Sequence, residues 1–280
     1  MNELRARVAV VTGAASGLGR AMARAFASEG MHVALADVDE IGLKETGAAL
    51  ASYATRTIMM RVDVSNGDEV EALARRCVDE FGSVHVVCNN AGVAVSGAAW
   101  ENSDDEWRWL LGVNLWGVIH GVRAFAPRLV AQDEGHIVNT ASVAGLISPP
   151  GMAAYCVSKH AVVALSESLH HDLRERGSHV GVSVLCPAYV PTGISSSERN
   201  RPPGVEVPMR SNERLAKEAM LKKAVASGKL SADDVARALV AAVRENRFYV
   251  LTHPAIKGAV RARMEDVLDE RAPRDPLKLK

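Results

Sequence analysis

Val8-Ala9-Val10-Val11-Thr12-Gly13-Ala14-Ala15-Ser16-Gly17-Leu18-Gly19 is the stretch whose reading decides the fold. Four apolar residues, three of them β-branched, make a short buried strand. Three glycines spaced G-x-x-x-G-x-G follow, and the pattern turns helical from about Gly17 to Glu29. Glycines let a backbone turn sharply and approach a pyrophosphate, whose charge is met by the N-terminus of the next helix. The spacing is not the general G-x-G-x-x-G dinucleotide fingerprint. Its place between a first strand and a helix still favours a dinucleotide turn over a plain connection. Gly13, Ser16, Gly17, Leu18 and Gly19 are the expected contacts.

The same alternation continues outward. Strands are expected at Val33–Ala36, Thr57–Val62, Val84–Val87, His136–Asn139, Val180–Leu185 and Phe248–Leu251. Helices are expected over Glu40–Ala51, Asp68–Glu80, Asp104–Leu129, Tyr155–Arg174, Asn212–Ser227, Ala232–Arg244 and Ile256–Arg271. Continuous apolar strands separated by helices imply a parallel sheet covered on both faces, a Rossmann-like, doubly wound α/β fold. Ser231 is placed to cap the helix that carries Asp233 and Asp234. Ser195–Ser211, with Pro202, Pro203, Gly204 and Pro208, reads as a mobile loop, and the last eight residues as a frayed end. One domain over 1–280 is expected, with a substrate lid at 193–230 and a C-terminal helical extension at 253–280.

The composition removes several classes. Thirty-three basic residues balance 33 acidic ones, which leaves no electrostatic footprint for nucleic acid. No run approaches the ~18 apolar residues that cross a bilayer, and the charged N-terminus lacks the features of a signal peptide. A cytoplasmic protein is expected. Cys77, Cys88, Cys156 and Cys186 are scattered without metal-ligand spacing, so buried reduced thiols are expected, with no metal. His170, His171 and His179 read as surface histidines. Trp107 and Trp109 read as packing residues rather than a stacking platform for ligand.

Asp37 lies eighteen residues beyond Gly19, at the end of the second strand. A carboxylate there accepts hydrogen bonds from the adenosine ribose and repels a 2′-phosphate. Val38 and Ser16 supply no cation for such a phosphate, and Arg20 is the one basic residue near the turn. NAD is therefore expected over NADP, unless Asp37 merely caps the next helix. Asp63, followed by Val64 at the end of the third strand, would accept from the adenine amino group. A helix cap is an equal alternative for it.

Tyr155 and Lys159 stand at i and i+4, one above the other on a helix, with Ser142 thirteen residues upstream. Hydride transfer from a secondary alcohol needs a group that takes the hydroxyl proton. A free tyrosine, with a pKa of about 10, is poorly matched to that task. A cation ~4 Å away at an effective dielectric of ~20 supplies roughly 4 kcal/mol, or about three pKa units. Lys159 is thus expected to lower the Tyr155 pKa.

With Thr12–Gly19, Asn89-Asn90-Ala91-Gly92, Asn114, Ser142, Tyr155, Lys159, Pro187 and Thr192 in this order, the sequence resembles the classical short-chain dehydrogenase/reductase family over roughly residues 5–195. The resemblance implies an oxidoreductase with Asn114, Ser142, Tyr155 and Lys159 as catalytic residues. Tyr155 is then the acid/base, and Ser142 holds the substrate oxygen. Lys159 also binds the nicotinamide ribose, and Asn114 anchors a water behind it. Asn90, Pro187, Val190 and Thr192 join the cofactor contacts, although Ala188 stands where the family has glycine.

The substrate walls are then Val93–Trp100, Val143–Met152 and the segment after Thr192. Val93, Val95, Leu146, Ile147, Met152, Tyr189 and Met209 are the apolar candidates there. The first two loops lack charge, which favours a lipophilic or aromatic secondary alcohol or ketone. Arg199, Arg201 and Arg210 keep an anionic group open. The ending Phe248–Pro254 resembles, loosely, that of aryl-alcohol Cα-dehydrogenases. The family also implies a homodimer or homotetramer, with helices 104–129 and 155–174 paired between copies. Two other readings stand beside the NAD-dependent dehydrogenase. One is an NADPH-dependent ketone or 3-oxoacyl reductase; the other is a non-catalytic dinucleotide sensor, which has no need of the Ser142, Tyr155 and Lys159 set.

Overall fold

The β-branched runs meet side by side in the computed structural model, which describes residues 1, 3–205 and 209–278. Pro208 of the expected loop, and Leu279 and Lys280 of the expected frayed end, lie outside them. The strands are β1 (Val8–Thr12), β2 (His32–Asp37), β3 (Thr57–Arg61), β4 (Val86–Asn89), β5 (His136–Thr140), β6 (Gly181–Leu185) and β7 (Tyr249–Val250). All pair in parallel, in the order β3-β2-β1-β4-β5-β6-β7. The order reverses between β1 and β4, and a crevice at such a reversal, beyond the carboxyl ends of the strands, is where doubly wound sheets bind ligands.

Helices cover both faces. On one, α1 (Gly17–Ser28) and α8 (Ala232–Arg244) bury Met22, Phe26, Val235, Leu239 and Val243 against β1 and β2. On the other, α3 (Gly67–Phe81) and α5 (Gly117–Gln132) bury Leu73, Cys77, Phe125 and Leu129. The remaining helices are α2 (Glu40–Leu50), α4 (Asp104–Leu111), α6 (Ala153–Glu175), α7 (Asn212–Ala226) and α9 (Ile256–Leu268). Ser231 caps α8 in a reciprocal capping box with Asp234, as expected.

Three differences from the sequence reading have local causes. Strand β4 runs two residues later than expected because Asn89 continues the ladder, its side chain donating to Asn139 on β5 at 2.9 Å inside the core. The single helix expected over 104–129 is α4 and α5 joined by a π-helical turn at Gly112–Trp116. That backbone change leaves no trace in apolar periodicity. The expected loop after Ser195 contains 3-10 turns over Gly193–Asn200, kinked at Ser196. Side chains hold these turns, as Ser197 Oγ donates to Ile194 O at 2.6 Å. All four cysteines are free and buried.

Candidate active site

The glycine turn, the end of β2, the segment after β4 and the loop after β6 line one cleft over the reversal point. Gly13, Ser16, Gly17, Leu18, Gly19, Asp37, Asp63, Val64, Asn90, Val93, Ser142, Tyr155, Lys159, Pro187, Val190 and Thr192 all face it. The sequence reading had named each of these. Of the apolar walls it expected, Val95, Ile147, Leu146, Met152 and Tyr189 are not among the lining residues. Val95 and Ile147 are core residues, and Leu146 packs on the cluster around Val162 and Val163. Met209 is fully exposed. Trp109, Val113, Ile194, Pro202 and Val225 line the cleft in their stead. Helix α4, the π turn and residues 193–205 and 209–226 close over that end of the sheet, and local spacing carries no signal of it.

At the cofactor end the turn is tight enough to require glycine. A Cβ on Gly19 would lie 2.0 Å from Gly13 O. Thr12 Oγ1 accepts from the backbone N–H groups of Asn90 and Ala91 at 2.9 and 3.1 Å, and Asn90 donates back to Thr12 O at 2.9 Å. These bonds fix the turn to the segment after β4. Asp37 accepts from Ala15 N at 2.9 Å and from Asp39 N at 3.1 Å. Asp39, not Asp37, caps α2. Arg20, the cation considered for a 2′-phosphate, is engaged by Glu45, Thr46 and Ala15 O. The capping alternative for Asp63 is also removed. Asn66 caps α3, and the Asp63 carboxylate accepts instead from Ser65 N and Oγ at 2.9 and 2.7 Å.

Together these features form a cradle for a dinucleotide: glycines where a phosphate must approach backbone, a helix N-terminus, and a carboxylate at the end of the second strand.

The other end of the cleft is assembled by α6 and the turn that carries Ser142. A Cβ on Gly145 would lie 2.6 Å from Lys159 O, so glycine lets that turn press against the helix. Tyr155 is in the first turn of α6 and half-buried. Lys159 is almost fully buried and donates from Nζ to Thr140 O at 2.9 Å. Its Nζ lies 5.7 Å from the centre of the Tyr155 ring.

The expected lowering of the Tyr155 pKa is outweighed by burial. Burial pushes the phenol up to about 12, against the pull of the Ser142 hydroxyl beside it. Burial also takes Lys159 down to about 8. Loss of water works against the charged form of both groups, and the lysine spends its nearest donor on a backbone carbonyl. Asn114 is wholly buried at the π turn. It accepts from Val93 N at 2.8 Å and donates to Val93 O and Ser158 Oγ at 2.9 and 3.1 Å, locking the loop after β4 to α6.

Several supporting residues escaped the sequence reading. Ala188 N donates to His253 Nδ1 at 3.2 Å, which ties the loop after β6 to the start of the C-terminal extension. Ala94 N donates to Ser197 Oγ at 2.9 Å. The fully buried carboxylate of Glu106 receives Arg214 at 2.6 Å and Arg201 at 3.1 Å, and the Arg201 guanidinium lies 4.9 Å over the Trp109 ring. Of the Ser195–Ser211 stretch expected to be mobile, Arg201 is thus pinned to α4 by buried charge, and so is Arg214 of α7 just beyond it. Trp109 packs with Val93 and Val95 as well as facing the cleft. Of the histidines read as superficial, His171 and His179 are exposed, and His179 pairs with Asp133 at 2.7 Å. His170 is half-buried with its ring against Phe248.

Comparison with known proteins gives concordant findings. A family model described as short chain dehydrogenase matches residues 7–203. The crystal structure of a short chain dehydrogenase/reductase from Burkholderia phymatum in complex with NAD superposes with a TM-score of 0.97 at 53% identity, covering 100% of both chains. The 1-deoxy-11-beta-hydroxypentalenate dehydrogenase of Streptomyces exfoliatus is 36% identical over 94% of this chain and 89% of its own. The CLA biosynthesis dehydrogenase/reductase of Lactiplantibacillus plantarum is 30% identical over 98% of this chain and 97% of its own.

Proposed function

The chain belongs to the short chain dehydrogenase family, and from that membership we propose that it is an NAD-dependent oxidoreductase interconverting a lipophilic or aromatic secondary alcohol and its ketone. The observation that carries the reading is the convergence of Ser142, Tyr155 and Lys159 on the cleft lined by the glycine turn and Asp37. Bound NAD supplies the hydride acceptor and, in its oxidised form, a positive ring charge. In this reading Ser142 Oγ donates to the substrate oxygen and holds it toward Tyr155. The Tyr155 hydroxyl exchanges the proton of that oxygen, as base in oxidation and acid in reduction. Lys159, dry and close behind the phenol, adds positive charge as the phenolate forms. Asn114 positions the loop after β4 against α6 and so holds the lysine's surroundings. The apolar wall of Val93, Trp109, Val113 and Ile194 supports a lipophilic or aromatic substrate, with residues 193–230 as its lid.

Asp37 supports NAD over NADP, since its carboxylate stands at the ribose end of the cradle while Arg20 is held by Glu45. A phosphate charge ~6 Å from the carboxylate at an effective dielectric of ~40 costs roughly 1.4 kcal/mol, about tenfold in preference. Replacing Asp37 by serine is therefore expected to narrow the NAD/NADP ratio of kcat/KM about tenfold, read from both cofactors with one substrate. A ratio that stays put would remove Asp37 from cofactor choice.

The reading as a whole is tested by absorbance at 340 nm with NAD or NADP against a panel of lipophilic, aromatic and sugar alcohols. Turnover of the first two classes with NAD is expected; turnover confined to sugars, or to NADP, would overturn it. The reading includes a homodimer. Trp116 and Val157, each about half exposed on the helices expected to pair, are apolar surface that a second copy would cover.

A further inference from the structure

Arg199 stands opposite the glycine turn at the rim of the cleft. Its Nη1 donates to Gly193 O and Ser196 O at 2.7 and 2.9 Å, so one arm of the guanidinium holds its own segment in shape. Its Nη2 points the other way and reaches Ser16 Oγ at 3.5 Å, across 183 residues of chain. A guanidinium carries five N–H donors in a fixed fork, and these contacts leave part of the fork unused.

The arginines around it are neutralised. Arg201 and Arg210 pair with Glu198, Arg214 pairs with Glu106 and Glu218, and Arg20 pairs with Glu45. Among the described residues no carboxylate lies within ion-pair distance of Arg199. An uncompensated cation therefore faces the N-terminus of α1, where the backbone already favours negative charge. The start of its segment is seated there too: a Cβ on Gly17 would lie 3.2 Å from Thr192 Cβ. Resting on the dinucleotide reading above, we propose that Arg199 binds a phosphate of the dinucleotide and clamps residues 193–200 onto the glycine turn.

Two phosphates share that chemistry, the diphosphate bridge and a 2′-phosphate on the adenosine ribose. The geometry favours the bridge, because the guanidinium is anchored through Gly193 beside Thr192 and Gly17, while Asp37 holds the ribose end. A guanidinium on a phosphate forms bidentate, charge-assisted bonds, stronger than neutral ones, and lysine keeps the charge but not the fork.

The test is equilibrium binding of NADH and of NADPH, by nucleotide fluorescence or calorimetry, to the parent chain, Arg199→Ala and Arg199→Lys at two salt concentrations. Arg199 is exposed, so its loss leaves the fold in place, which a thermal melt checks. Arg199→Ala is expected to weaken NADH about tenfold and to reduce the salt dependence of binding, with Arg199→Lys between the two. A common loss for both nucleotides locates the contact on the diphosphate; a loss confined to NADPH locates it on the 2′-phosphate. Parent affinity for both in Arg199→Ala overturns the proposal and leaves the functional reading standing. A parent chain that binds neither nucleotide overturns the reading beneath it.

Discussion

Replacing Tyr155 by phenylalanine is expected to lower kcat about a thousandfold while NADH binding stays within about twofold of the parent. The first figure is the middle of the range for a general acid/base, about a hundred- to ten-thousandfold. The second follows because the substitution deletes one hydroxyl and keeps the ring that packs at the start of α6. The pH profile of the parent gives the sign. With burial holding the phenol near 12, little phenolate exists at neutral pH. Alcohol oxidation should rise with pH toward the operating pKa, and ketone reduction should fall above it. That operating value lies below 12 to the extent that bound NAD and Lys159 add positive charge. Stopped-flow turnover with a nucleotide titration checks both halves. Unchanged kcat in Tyr155→Phe would remove the tyrosine from the chemistry, and a collapse of NADH binding would make its role structural.

The second large effect concerns the segment over the substrate end. Glu106→Ala is expected to make residues 193–226 open about a hundredfold more often, seen as a proportional rise in limited proteolysis within them. The carboxylate is wholly buried, and its partners Arg214 and Arg201 have side chains only 2% and 7% exposed. Removing one member of a buried ion pair leaves the others charged and dry, at a cost of about 3 kcal/mol or more. Cleavage tracks that opening equilibrium when closing is fast.

The pH dependence of the parent has a definite direction. Burial pushes the Glu106 carboxyl up, but hydrogen bonds from Arg214, Asn102 and Arg201 outweigh it and leave the group below the usual glutamate value. A carboxyl depressed in the folded chain contributes its full stabilisation above about pH 4.3 and loses it as pH falls through the folded value. The segment should stay closed through neutral pH and open more often in acid, while Glu106→Ala opens with the raised frequency at both. Equal proteolysis of parent and variant at pH 7 would show that the cluster does not hold the segment.

What could be read in the sequence was whatever a single element writes into its own spacing. Strand β1 and the turn after it announced themselves because β-branched residues and three glycines are local demands of a strand and a tight phosphate-ready turn. Tyr155 and Lys159 were legible because 3.6 residues per turn puts i and i+4 on one face. Asp37 was legible because a parallel strand must end where its helix begins.

The tertiary structure decided the rest, because it depends on which distant elements meet. Glu106 is 108 residues from Arg214, and Arg199 is 183 from Ser16. Each looks like an ordinary surface charge until the fold buries the first and leaves the other without a carboxylate partner among the described residues. The π turn at Asn114 alters the backbone without altering the apolar pattern. The ionisation of Tyr155 was misjudged for the same reason: Coulomb's law between two named residues can be written from their spacing, whereas desolvation depends on everything packed around them. Sequence by itself determined the parallel sheet, the glycine turn after its first strand and the Ser142, Tyr155 and Lys159 set. Only the folded chain decided how dry those groups are and what covers them, since burial and charge pairing belong to the whole packed arrangement and to no single segment.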